Sequence, residues 1–219
     1  MKKLLLLALI TACIGIITPC KAYADVSIGA TAWYANWDFD GYDVDPAFLF
    51  GPTLSIKLND TYNLGLIYLY GKFDDVPFEG PFGAMKRHDA DLTLNGRLND
   101  YFKLYGGMKF IYMSGIEGFG HYGIGPGLGL SATFPIAGNL FFLANIGVFY
   151  LFGTEWSDEY DEYDTNDSGL NTSASLAYYL DPLTLSVGYR YQSVKTSYEY
   201  DDSTRQKFHG ITFALTFSF

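Results

Sequence analysis

The sequence predicts an all-β chain, an antiparallel up-and-down transmembrane barrel of ten strands, with eight as the alternative if one weak hairpin is a long loop. Three observations predict it. The last thirteen residues read KFHGITFALTFSF, so Ile211, Phe213, Leu215, Phe217 and Phe219 alternate with Gly210, Thr212, Ala214, Thr216 and Ser218. That is strict period two, with one broad apolar face and one small, polar face. A soluble barrel puts its large apolar groups inside; this pattern fits lipid outside and a polar lumen. The alternation recurs in segments of 11 to 13 residues, enough for a tilted strand to cross a bilayer. Finally, short turns and longer polar loops separate these segments in alternation.

The start of the chain reads as an export signal. Lys2 and Lys3 precede an apolar run over residues 4–17, and Ala22-Tyr23-Ala24 fits a small-x-small cleavage site before Asp25. The expected division is therefore a signal peptide over residues 1–24 and a barrel over 25–219. Cys13 and Cys20 both fall in the leader, so the barrel needs no disulfide and offers no thiolate. Removing the leader takes Lys2, Lys3 and Lys21 from 14 basic residues and none from the 24 acidic ones, leaving 11 against 24. So acidic a chain argues against nucleic acid as a partner. With this leader, the ending on Phe219 resembles the C-terminal signal of bacterial outer-membrane β-barrels. That resemblance implies an outer-membrane location, recognition of Phe219 by the barrel assembly machinery, contact with outer-membrane lipids including lipopolysaccharide, and periplasmic termini.

The elements follow in order. Strand one covers residues 26–37, with Ser27, Gly29 and Thr31 inward, and a loop carrying Asp38, Asp40, Asp43 and Asp45 follows. Strands two (47–58) and three (62–73) join at Asn59-Asp60. After a loop over 74–85, strand four (87–98) has the most polar inner face: Arg87, Asp89, Asp91, Thr93, Asn95 and Arg97. It turns at Asn99-Asp100 into strand five (101–113). The stretches KLNDTYNL (57–64) and RLNDYFKL (97–104) repeat at a spacing of 40, as one hairpin unit used twice. Strand six (123–134) carries Gly125, Gly127 and Gly129 inward, which leaves room inside. Strand seven covers 140–152, strand eight 170–180, strand nine 183–194, and the terminal stretch is strand ten. Pro52 and Pro126 interrupt strands and remove ladder hydrogen bonds; in lipid A palmitoyltransferase barrels such breaks admit lipid.

Candidate chemistry is sparse. Pairing through the Asn99-Asp100 turn sets Asp91 opposite Lys109 and Arg97 opposite Lys103. Asp89, Asp91, Lys109, Arg97, Lys103 and Arg190 thus form a lumen charge network, either a plug or the lining of a narrow channel. The Asp89-x-Asp91 spacing resembles the acid pair of omptin proteases, but no Asp-x-His partner exists: Lys86, Phe119 and Lys207 stand two places before the three histidines. His209, outward near the rim and expected beside Ser193, resembles the base–nucleophile pair of lipid A deacylases without their His-x-Ser spacing. The loop over 153–168 carries Glu155, Asp158, Glu159, Asp161, Glu162, Asp164 and Asp167. It reads as a surface acidic loop, a solvated face or one that binds an extracellular ligand. It lacks the turn glycine of an EF-hand, so no metal site and no cofactor are expected. The function expected is a small non-enzymatic barrel, structural, adhesive or a narrow channel. The alternatives are an outer-leaflet lipid A-modifying enzyme and a transport barrel for a small solute or hydrophobic molecule.

Overall fold

The computed structural model describes residues 25–76, 83–115, 118–157, 162–198 and 203–219. The leader read in residues 1–24 lies outside them. Ten strands form one sheet: β1 (Val26–Phe39), β2 (Tyr42–Lys57), β3 (Tyr62–Val76), β4 (Gly83–Arg97), β5 (Phe102–Ser114), β6 (Gly120–Ala137), β7 (Leu140–Trp156), β8 (Tyr163–Leu180), β9 (Leu183–Tyr198) and β10 (Thr204–Ser218). Each pairs antiparallel with its chain neighbours, and β1 pairs with β10, so the sheet closes into a barrel without an edge. The eight-strand alternative falls. The expected cross-strand pairs hold: Asp91 faces Lys109 and Arg97 faces Lys103.

The repeated hairpin unit is real. Asn59 Oδ1 accepts from the amides of Thr61 and Tyr62, both at 2.8 Å, and Asn99 Oδ1 accepts from Tyr101 at 2.8 Å and Phe102 at 2.9 Å. In both units the asparagine side chain satisfies two amides that the turn would otherwise expose. The termini share this turn end, where Lys57 bonds Asp25 and Asp60.

At the opposite end the strands outrun their expected lengths. Strands β7 and β8 have 17 and 18 residues. The loop expected after strand one is a two-residue turn, with Asp40 at φ 46° and Gly41 at φ 90°, as a hairpin of this twist requires. Beyond the apolar band the outward row turns polar, as at Ser168, Asn166, Ser193 and Lys195, while the inward row keeps packing. Alternation therefore continues beyond the outward apolar band. The prolines act as expected. Pairing of β2 with β3 skips from Phe50–Tyr70 to Thr53–Ile67, and pairing of β6 with β7 skips from Ile124–Phe152 to Gly127–Phe149.

The lumen differs most from expectation. Its turn-end half is small and polar, with Ser27 bonded to Ser218, Thr31 to Thr53 and Asn63 to Ser55. Its hairpin-end half is apolar. Trp33, Trp37, Leu49, Leu69, Phe73, Met85 and Phe208 are fully or almost fully buried inside the wall. Trp37 stacks on Phe208 at 5.4 Å and meets Phe73 edge-on at 5.2 Å. The glycine lane of β6 is not vacant either. Tyr105 lies across Gly129 and Gly147 and donates to Asn145 Oδ1 at 3.0 Å, and Phe149 covers Gly169.

Candidate functional site

Strands β4, β5 and β9 each place charged residues inward at the level where the lumen passes from polar to apolar. Lys109 Nζ donates to Asp89 Oδ1 at 2.8 Å and Asp91 Oδ1 at 3.1 Å. Arg190 spans the lumen to both carboxylates, at 3.4 and 3.5 Å, and donates through Nε to Asn171 at 3.1 Å. Arg87 Nη2 donates to Asp89 Oδ2 at 3.0 Å and Gln192 Oε1 at 2.5 Å, while Gln192 Nε2 donates to Asp89 at 3.2 Å. Arg87, Asp89 and Lys109 are 0%, 1% and 2% exposed. Charges so deep must be paired, and Asp89 holds three cations at once. Aromatic faces take up the rest: the Arg87 guanidinium lies 3.7 Å from the Phe208 ring centre and that of Arg190 4.7 Å from Trp33.

Four of the six expected network residues therefore meet. Arg97 and Lys103 do not. Arg97 bonds Asp100 at the turn end, and Lys103 is exposed there. They face each other six pairs below Asp91 on the β4–β5 ladder, too far along the axis to join. Arg87 and Gln192 were missed as members, although both fall on the inward parity of their strands. On the turn side of the cluster a polar cavity of about 380 Å³ is lined by Thr53, Asn63, Asn95, Asn145, Asn171 and Arg190.

A second buried cluster corrects the acidic loop. Asp167 is not on a surface loop: it points inward from β8, fully buried, and accepts from Thr196 Oγ1 at 2.7 Å. His121 Nε2 meets its other oxygen at 2.9 Å, and His121 Nδ1 faces Glu155 at 3.5 Å. Glu155 also accepts from the Tyr198 hydroxyl at 3.1 Å. Glu155 and Asp164 are strand residues, since β7 and β8 extend past the expected loop bounds. Asp164 and Glu162 are exposed; Asp158, Glu159 and Asp161 lie outside the described residues. This cluster sits beyond the outward residues Tyr122, Phe152, Leu170 and Tyr191, at the level of the rim residue Trp156. Burial alone would lower the His121 pKa, but the bonds to Asp167 and Glu155 prevail and raise it to about 9. Burial and the Glu155 charge raise that of Tyr198. Among the described residues no group of three or more His, Cys, Asp or Glu is arranged to hold a metal ion.

The outward pair is also corrected. His209 lies opposite Tyr191, and Ser193 lies opposite Lys207. The two-residue offset leaves both on the outer face but parts base from hydroxyl. His209 Nδ1 bonds the Tyr189 hydroxyl instead, at 2.8 Å. Neither Asp89 nor Asp91 resembles a free proteolytic acid, because both are committed to cations.

No family model and no curated protein matches the chain. Solved structures do. The outer-membrane protease OmpT of Escherichia coli is 13% identical, with 90% of this chain and 96% of that one aligned at a TM-score of 0.51. Ail, the attachment invasion locus protein of Yersinia pestis, in complex with a heparin analogue, is 13% identical over 90% of this chain and all of its own, at 0.40. Neisserial surface protein A is 11% identical over 89% and 97%, at 0.41. With the closed ten-stranded sheet, the OmpT likeness shows the fold: this chain has the fold of the bacterial outer-membrane β-barrels.

Proposed function

We propose that this chain is a non-enzymatic barrel of the bacterial outer membrane, structural or adhesive, which keeps its lumen shut and presents its hairpin end to the outside. The plug carries this reading: Trp33, Trp37, Phe73 and Phe208, with Arg87 and Asp89 beneath them, fill the lumen from wall to wall. A pore needs a wetted path, and a half-lumen of stacked rings above a paired ion cluster favours closure. Both termini at the turn end fit a periplasmic placement. Phe219 is 74% exposed, accessible to the assembly machinery. The exposed acids Asp40, Asp43, Asp45, Glu162 and Asp164 at the hairpin end, beside Tyr42 and Tyr163, suit an extracellular ligand with cationic groups. Single-channel recording of the purified barrel in a planar bilayer tests the reading. A silent membrane, with insertion verified separately, is expected; reproducible conductance steps would replace the plug with a channel.

A further inference from the structure

Among the described residues five lysines and arginines point outward at the hairpin end, and they fall on two hairpins alone. On β3–β4 the outward ladder climbs from Leu66 opposite Leu92, to Tyr70 opposite His88, to Lys72 opposite Lys86. On β9–β10 it climbs from Leu185 opposite Leu215, to Tyr191 opposite His209, to Lys207 opposite Ser193 and Arg205 opposite Lys195. The order is the same in both: aliphatic residues, a tyrosine across from a histidine, then facing cations. The hydrogen bonds repeat as well. The tyrosine two places nearer the membrane centre bonds the histidine Nδ1 in each, Tyr68 to His88 at 2.6 Å and Tyr189 to His209 at 2.8 Å.

Like charges set directly opposite on a sheet repel. Lys72 and Lys207 each have one carboxylate, Asp74 at 2.6 Å and Asp38 at 3.0 Å. Lys86, Lys195 and Arg205 have none within ion-pair distance among the described residues, and all three are exposed. With the tyrosine hydroxyl as donor to Nδ1, the ring proton lies on Nε2, and each histidine would then offer an N–H between the apolar band and the cations.

We infer that the two hairpins are twin sites for phosphorylated headgroups of the leaflet that surrounds the hairpin end. The cations neutralise phosphate, the histidine N–H donates to it, the tyrosines lie at the level of the headgroup linkage, and the aliphatic rows below meet the acyl chains. This rests on the chain spanning a membrane. Bisphosphorylated lipid A is the probe, with its dephosphorylated form as control, and native mass spectrometry of the purified barrel counts the lipids retained. The expected counts are two for the unaltered chain, one for Lys72→Ala with Lys86→Ala, one for Lys195→Ala with Arg205→Ala, and none for all four together. Equal counts across these variants, or equal retention of the phosphate-free lipid, would overturn the sites. Heat-modifiable gel mobility after insertion into phosphatidylcholine vesicles separates the two levels. A barrel that does not insert removes the membrane reading, whereas one that inserts with unchanged lipid counts removes only the twin sites.

Discussion

Asp89 is the residue on which the interior turns. Its two oxygens receive Lys109, Arg87, Arg190 and Gln192, and replacing it by Asn leaves three cations buried with Asp91 alone to balance them. Breaking a buried pair from one side costs on the order of 3–5 kcal/mol. Asp89→Asn should therefore lower the urea midpoint of the refolded barrel strongly, while Asp100→Asn at the exposed Arg97 pair should change the unfolding free energy by less than about 1 kcal/mol. His121 gives the interior a pH dependence. Its folded pKa is about 9, above the unfolded value near 6.5. The stabilisation is thus fully present below the unfolded value and is lost as pH rises through the folded one. With the base-catalysed intrinsic rate divided out, the protection of amides at the hairpin ends of β6 to β8 should fall between neutral pH and pH 10, and His121→Gln should abolish that fall. Glu155 faces His121 directly across the β6–β7 ladder, but only because β7 runs past its expected end. Asp167 stands 46 residues away, on a strand that does not adjoin β6.

The turn units show how far local chemistry reaches at the scale of an element. Asn59 and Asn99 make the same two bonds, and Lys57–Asp60 and Arg97–Asp100 occupy the same places around them. Asn59→Ala and Asn99→Ala should each cost about 1 kcal/mol, equally and additively, in equilibrium unfolding. Strand existence and order, and the β4–β5 register, followed from alternation and turns alone. Strand length and the β9–β10 register did not. The expected strands stop where the outward row loses its apolar residues, yet pairing continues because the added residues still bury Val44, Val76 and Met85. Parity carried past Thr31 would have placed Trp33 and Trp37 inside.

For the whole molecule, the closed sheet decides what the lumen is. Removing Trp37 deletes a ring packed on both Phe208 and Phe73, a loss of roughly 3–5 kcal/mol for a buried aromatic. Trp37→Ala should lower the temperature of the barrel's gel-mobility shift without altering its register. The sequence by itself determined a ten-stranded antiparallel barrel, its inward and outward rows, its turn end and the Asp91–Lys109 pair. All of these depend on period two and on neighbouring strands joined by short turns. Only the tertiary structure decided that the lumen is plugged, that Arg87 reaches Gln192 across 105 positions, and that two distant hairpins carry the same tyrosine–histidine–cation ladder. Alternation specifies which way a side chain points. Closure specifies what it meets there, because the far wall comes from strands whose distance in sequence bears no relation to their distance in space.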